Sequence, residues 1–287
     1  MHSTLISSAT LAQHLDDPDW VILDCQHDLM QPALGRAEYV RGHIPGAQFV
    51  SIDHDLAGAK SGGNGRHPLP SPVALEALFC HLGIGAASQV VVYDGTQGNY
   101  AGRAWWSLRW LGHDAVAVLD GGLTTWMAAG CATTTTVPPP HPTRFVSRVR
   151  TDVQRDAAYI AANLDANLAG ASMKIIDARV GERYTGAQEA VDPVAGHIPG
   201  ALNRFWKDNL AADGRFKSAA ELRAEFDKLL GGTAAVRVIH QCGSGVSACH
   251  NLIAMEIAGL PGARLYPGSW SEWCADPARP VATGPTP

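Results

Sequence analysis

The chain has 287 residues, a net charge of −5, 17% charged and 46% hydrophobic residues. That is the profile of a globular protein with two domains, each large enough to bury its own core. The mildly acidic balance, without any Lys/Arg-rich run, speaks against nucleic acid and membrane surfaces as partners. No apolar run approaches the roughly 18 residues of a spanning helix. Met1-His-Ser-Thr-Leu-Ile-Ser-Ser also lacks the basic-then-apolar pattern of a signal peptide, so a cytoplasmic setting is expected. The six cysteines (25, 80, 131, 242, 249, 274) follow no disulfide or zinc spacing. They read as reduced thiols, with no metal and no cofactor expected.

Strand and helix signals alternate along the chain. Runs rich in β-branched residues predict strands at 20–24, 48–52, 89–94 and 115–119. Between them fall a helical turn at 35–41 and helices at 71–83, 100–111 and 122–130. The Thr- and Pro-rich stretch 132–142 reads as an extended connection. This gives an N-terminal domain at 1–131, a linker at 132–150 and a C-terminal domain at 151–287. The second domain repeats the plan, with strands at 174–177, 201–204, 236–241 and 263–266 and helices at 218–230, 247–259 and 269–274. The implied architecture is α/β, each domain a mostly parallel sheet with helices on both faces. Ligands in such sheets sit beyond the carboxyl ends of the strands.

The second domain is a copy of the first. Gly42-His-Ile-Pro-Gly-Ala47 returns unchanged as Gly196-His-Ile-Pro-Gly-Ala201. Val21-Ile-Leu-Asp24 answers Lys174-Ile-Ile-Asp177, and Leu119-Asp-Gly-Gly-Leu-Thr-Thr-Trp126 answers Tyr266-Pro-Gly-Ser-Trp-Ser-Glu-Trp273. Three matches in one order mean a tandem duplication of a unit too long for a solenoid repeat. Aligned through the strand, Val91-Val-Tyr-Asp94 faces Ile239-His-Gln-Cys242. Only the second copy has a thiol there, so the first reads as scaffold. His43 and His197, present in both copies, are structural candidates.

Cys242 is the residue that speaks of chemistry. It stands between a strand and a helix in Cys242-Gly-Ser-Gly-Val-Ser-Ala248. Gly243 and Gly245 let the backbone curl, and the amides from Gly243 through Ser244, Gly245, Val246 and Ser247 to Ala248 would face an anion on the sulfur. Such surroundings favour a thiolate nucleophile. A cysteine phosphatase would need an arginine six positions after the thiol, where Ala248 stands. Zinc bound by Cys242, Cys249 and His250 is disfavoured, because the latter two point different ways from a helical turn.

These segments resemble the tandem-domain rhodanese family of sulfurtransferases over nearly the whole chain. The resemblance rests on the paired Gly-His-Ile-Pro-Gly-Ala segments, Arg103-Ala-Trp-Trp106, Asp120-Gly-Gly122, Gly268-Ser-Trp-Ser-Glu-Trp273 and the Cys242 loop. The loop is similar to the Cys-Gly-Ser-Gly-Val-Thr-Ala of 3-mercaptopyruvate sulfurtransferases, with Ser247 in place of Thr. The thiosulfate enzymes carry Cys-Arg-Lys-Gly-Val-Thr. The resemblance implies a small-molecule sulfur donor, 3-mercaptopyruvate first and thiosulfate as the alternative. It also implies a Cys242 persulfide, and a thiol acceptor such as thioredoxin, or cyanide. A non-enzymatic persulfide carrier is the further alternative.

The same resemblance implies roles for other residues. Ser244 and Ser247 would act beside the nucleophile, and Arg183 in Glu182-Arg183-Tyr184 would bind the donor's anionic end. His67 and Asp53 would meet Ser244 as a proton relay across the domain interface. The second arginine of the mercaptopyruvate pattern falls in Gln188-Glu-Ala-Val-Asp192, where no arginine stands. In that segment the chain is closer to the thiosulfate enzymes. Trp270, Trp273 and Glu272 read first as core packing around a buried carboxylate.

Overall fold

Trp20–Asp24 and Gln89–Tyr93 are nearly unbroken apolar runs, the composition of strands covered on both faces. In the computed structural model, which describes residues 1–168 and 173–287, they pair in parallel. Contacts divide the chain into two compact units, one of Met1–Gly58, Pro70–Arg150 and Ala212–Arg215, the other of Ala59–Leu69, Thr151–Ala211 and Phe216–Pro287.

The first unit runs β1 (Leu5–Ile6), α1 (Ser8–Ala12), β2 (Trp20–Asp24), α2 (Ala33–Arg41), β3 (Gln48–Phe49), α3 (Pro72–His81), β4 (Gln89–Tyr93), α4 (Ala101–Trp110), β5 (Val116–Leu119) and α5 (Gly122–Ala128). Its five strands lie in the order β1-β5-β4-β2-β3, every pairing parallel. Ile22, Val91, Ala117, Leu119 and Trp126 share one core cluster. The strand expected at 48–52 stops at Phe49. There the Asp55 carboxylate accepts from the Ser51 amide at 2.8 Å and Leu56 N–H donates to Ser51 O, which closes a turn. Segment 132–150 is strapped along this unit: His43 and Thr134 exchange backbone bonds, and Phe145 is buried against Phe79.

The second unit runs α6 (Ala157–Ala162), α7 (Leu164–Leu168), β6 (Lys174–Asp177), α8 (Gly181–Thr185), β7 (Leu202–Asn203), α9 (Ala219–Leu230), β8 (Val238–Gln241), α10 (Ala248–Ile257), β9 (Arg264–Leu265) and α11 (Ser269–Trp273). Its sheet order is β7-β6-β8-β9, again all parallel. Helix α9 starts on a capping box between Ser218 and Glu221 and ends at Gly231 in the left-handed region. Residues 59–69 precede α3 in sequence but pack into this unit. Gly65, at φ +86°, lies so close to Gly268 that a Cβ would stand 2.8 Å from its carbonyl oxygen.

The repeated Gly-His-Ile-Pro-Gly segments fold alike. His43 Nδ1 is 2.8 Å from Tyr39 O and His197 Nδ1 is 2.9 Å from Tyr184 O, and each ring stacks on that tyrosine at about 4 Å. The tyrosine hydroxyls donate to Ala47 O and Ala201 O. Both histidines are fully buried structural pins.

Candidate active site

Strand β8 ends at Gln241, and Cys242 follows at the carboxyl edge of the sheet, 3% exposed. Its backbone is tied to α11. Cys242 N–H donates to Ser269 Oγ at 3.1 Å, while Trp270 and Ser271 amides donate to Cys242 O and Gly243 O at 3.0 Å. Gly245 sits at φ +74°, and a Cβ there would lie 2.3 Å from Pro267 O, so only glycine fits the turn. The amides of Gly243, Ser244, Val246 and Ser247 have no acceptor among the described residues. Ser247 is half-buried at the start of α10 and makes no side-chain cap, and Ala248 begins the helix. A buried loop with open amides is able to hold an anion next to the sulfur.

Two of the expected residues meet beside that loop. Ser244 Oγ lies 2.7 Å from His67 Nδ1, both side chains buried. His67 belongs to the 59–69 segment of the second unit. Asp53 belongs to the first unit, where its carboxylate is 3.9 Å from His27 Nδ1. Burial holds His27 below the ordinary histidine value, Asp53 pulling the other way.

Arg183 lies on α8 with its guanidinium toward Gly243. Its Nε donates to Glu189 at 3.0 Å and its Nη2 to Asp192 Oδ2 at 2.7 Å. Arg66, neighbour of His67, donates through Nη1 to the other oxygen of Asp192. Asp192 is therefore clasped by two arginines, and its side chain is buried. Behind them Arg179 binds Asp177 at 2.7 Å and Glu189 at 3.4 Å, its guanidinium 4.8 Å over the Trp270 ring. Burial raises Asp192 above the ordinary aspartate value, with Arg66 and Arg183 pulling it back down. Burial pushes Glu189 the same way, but the hydrogen bond from Arg183 and the amides of Asp192 and Val191 leave it below the usual range. Burial likewise opposes the charge of Arg179, yet Asp177 holds its pKa above the ordinary value.

Arg66, Asp192 and Glu189 were not among the residues the sequence singles out for the site. The one local hint is that Arg66 directly precedes His67 in Gly65-Arg-His-Pro-Leu-Pro70. Trp270 and Trp273 are fully buried, their indole N–H groups donating to Val194 O and Pro280 O. They build the core beneath the site. Cys249 Sγ contacts Gly245 O at 3.4 Å, and His250 stacks on Phe216 and meets Asn209 Nδ2 at 3.1 Å. Both are turned into packing.

In the first unit, Asp94 holds the place equivalent to Cys242. Its carboxylate accepts from the amides of Thr96, Gly98, Tyr100 and Ala101 at 2.7–2.9 Å.

Rhodanese-like domains are recognised at residues 7–129 and 160–276. A Pseudomonas aeruginosa protein, assigned by name to the 3-mercaptopyruvate sulfurtransferases, is 46% identical over 98% of both chains. A Mycobacterium tuberculosis protein, assigned by name to the thiosulfate sulfurtransferases as SseB, is 42% identical over 98% of this chain and 97% of its own. Among solved structures, the 3-mercaptopyruvate sulfotransferase SseA of Escherichia coli matches with a TM-score of 0.80 at 31% identity. That match covers 94% of this chain and all of the other.

Proposed function

Because the chain belongs to the rhodanese-like family, we propose that it is a sulfurtransferase that takes sulfur from 3-mercaptopyruvate onto Cys242 and passes it to a thiol or to cyanide. The observation that carries this reading is Cys242 in a loop of open amides, with two guanidinium groups over Gly243. Cys242 thiolate attacks the donor's sulfur. A new S–S bond forms, the C–S bond breaks, and its electron pair leaves as the enolate of pyruvate, which takes up a proton at carbon. Ser244, hydrogen-bonded to His67, is the proton carrier on this reading. An incoming thiolate then attacks the outer sulfur of the persulfide and releases Cys242 as thiolate. The loop amides stabilise negative charge in both resting and loaded forms.

Thioredoxin suits the acceptor role, as a small protein dithiol. The cytoplasm suits the setting: all six cysteines are free, and no helix among the described residues is long and apolar enough to cross a membrane. Thiosulfate is the second reading, favoured by the relative named for that donor. With thiosulfate the S–S bond to the sulfonate breaks and sulfite leaves.

The test compares kcat/KM for both donors with one acceptor, and weighs the loaded protein by mass spectrometry. A larger value for 3-mercaptopyruvate, with one added sulfur that Cys242→Ser cannot accept, is expected. A large preference for thiosulfate would select the second reading. A single stoichiometric transfer without turnover would make the chain a persulfide carrier.

A further inference from the structure

Two guanidinium groups converge on Gly243, and each keeps an unused donor there. A Cβ on Gly243 would stand 2.7 Å from Arg66 Nη2 and 3.5 Å from Arg183 Nη1. Neither nitrogen is hydrogen-bonded to a described residue, and Arg66 Nε is buried without a partner. The rest of each guanidinium is spoken for: Asp192 bridges the two, and Glu189 fixes Arg183 through Nε. The arginine side chains remain 24% and 18% exposed, while Asp192 and Glu189 are 2% and 3% exposed. A small anion in the site therefore reaches the cations but not the carboxylates. Two arginines against two carboxylates sum to zero, and adding Arg179 with Asp177 leaves that sum unchanged.

We propose that Arg66 and Arg183 together form the seat for the donor's anionic end, and that Asp192 sets its charge so that a monoanionic carboxylate is preferred to a dianion. The proposal deepens the sulfurtransferase reading and rests on it. Arg66 comes from a segment remote in sequence and supplies the second guanidinium that the 188–192 stretch lacks. Gly243, as the residue after the nucleophile, leaves room for that guanidinium beside the sulfur. One free nitrogen from each guanidinium gives the two oxygens of a carboxylate a donor apiece, and a lysine in place of Arg66 has no second nitrogen to hold Asp192 at the same time. Asp192 holds both forks at fixed spacing while cancelling one positive charge, so each further negative charge on the ligand gains less.

The test uses the full chain with four variants: Arg66→Met, Arg66→Lys, Gly243→Ala and Asp192→Asn. KM, kcat and Tm are measured with 3-mercaptopyruvate and with thiosulfate, and pyruvate binding is followed by calorimetry, which needs no turnover. Arg66→Met is expected to raise KM and the pyruvate Kd by about 10- to 100-fold, with kcat changed less than about threefold, as for loss of a charge-assisted hydrogen bond. Arg66→Lys recovers part of that loss. Gly243→Ala, which needs no unusual backbone conformation, raises KM by displacing Arg66 and leaves the Asp192 cluster chemically intact. Asp192→Asn raises the thiosulfate-to-mercaptopyruvate ratio of kcat/KM about tenfold.

Unchanged KM and pyruvate Kd in Arg66→Met would overturn the seat, as would an unchanged donor ratio in a folded Asp192→Asn. A loss confined to Tm would reduce the cluster to structural packing. If the wild type binds pyruvate in an Arg66-dependent way but turns over neither donor, the sulfurtransferase reading fails and the seat stands.

Discussion

At the end of β4 the first unit places Asp94, whose carboxylate accepts four backbone amides of the loop that follows. At the end of β8 the second unit places Cys242, and four amides of its loop have no acceptor among the described residues. Both loops therefore gather amides for an anion, and the first carries that anion as its own side chain. A site is made here by withholding the internal carboxylate and leaving the amides to a ligand. The contrast extends one strand over. Asp24 ends β2 among neutral partners, the Tyr93 hydroxyl at 2.6 Å and Gln26, whereas its counterpart Asp177 ends β6 against the Arg179 guanidinium. The open half sets a guanidinium against its strand-end aspartate, and the closed half does not.

Exchanging the residue at the strand end gives the largest effects. Cys242→Ser is expected to lower kcat/KM by a factor on the order of 10³ or more, because the weakly acidic hydroxyl cannot replace a thiolate nucleophile. Asp94→Ala should leave sulfur loading of Cys242 intact. It should cost roughly 4 kcal/mol of stability, since several amides lose a charged acceptor at once. Denaturant melts and a donor assay on the same two variants separate the outcomes. An Asp94→Ala protein as stable as wild type would mean that the carboxylate does not organise its loop.

Acid should move the two units in opposite directions. Burial raises Asp24 to about 6 from 3.8, despite the opposing hydrogen bond from Tyr93. Folding thus favours its protonated form: its contribution is full below pH 4 and is lost as pH rises through about 6. Burial lowers His240 on β8 from 6.5 to about 3, with Arg204 adding to the effect, so folding favours neutral imidazole. Its contribution is full above pH 6.5 and declines as pH falls toward 3. Each group is worth a swing of roughly 3 kcal/mol between pH 4 and 7. Asp24→Asn should flatten the pH dependence of stability in that window in one sense, and His240→Val in the other. Slopes of the same sign in the two variants would break the contrast.

How much of this was legible in the sequence depends on how local each feature is. The Cys242 loop, the parallel sheets and the paired histidine turns are written in contiguous letters, since strand pattern, glycine positions and the nucleophile all lie within a few residues of one another. The Ser244–His67 pair was accessible only through the resemblance, because nothing in the spacing of 67 and 244 brings them together. Arg66 was missed for a physical reason. Its segment precedes α3, a first-unit helix, and so reads as first-unit chain, yet Gly65 and the Arg66 amide dock on Gly268 and Ser271. Strand β1 escaped because its two residues are too short for any alternation to register. The 188–192 stretch lacks the expected arginine, and its last residue, Asp192, is the bridge that holds two arginines together.

The smallest expected effect is the one on which the two units should agree. Gly46 and Gly200, the second glycines of the repeated motif, sit at φ +79° and +78°, in the left-handed region where a Cβ is disfavoured. Gly46→Ala and Gly200→Ala should each cost about 1 kcal/mol, mostly as backbone strain. Nothing lies within 4 Å of the Cβ position at Gly46, so no steric clash adds to that cost there. Equal losses in denaturant melts, with donor KM unchanged in both variants, would assign the repeated turn to the scaffold that both units share. A rise in KM for Gly200→Ala alone would instead tie the second copy of the turn to the site, and the asymmetry of the two units would then reach deeper than the loops at their strand ends.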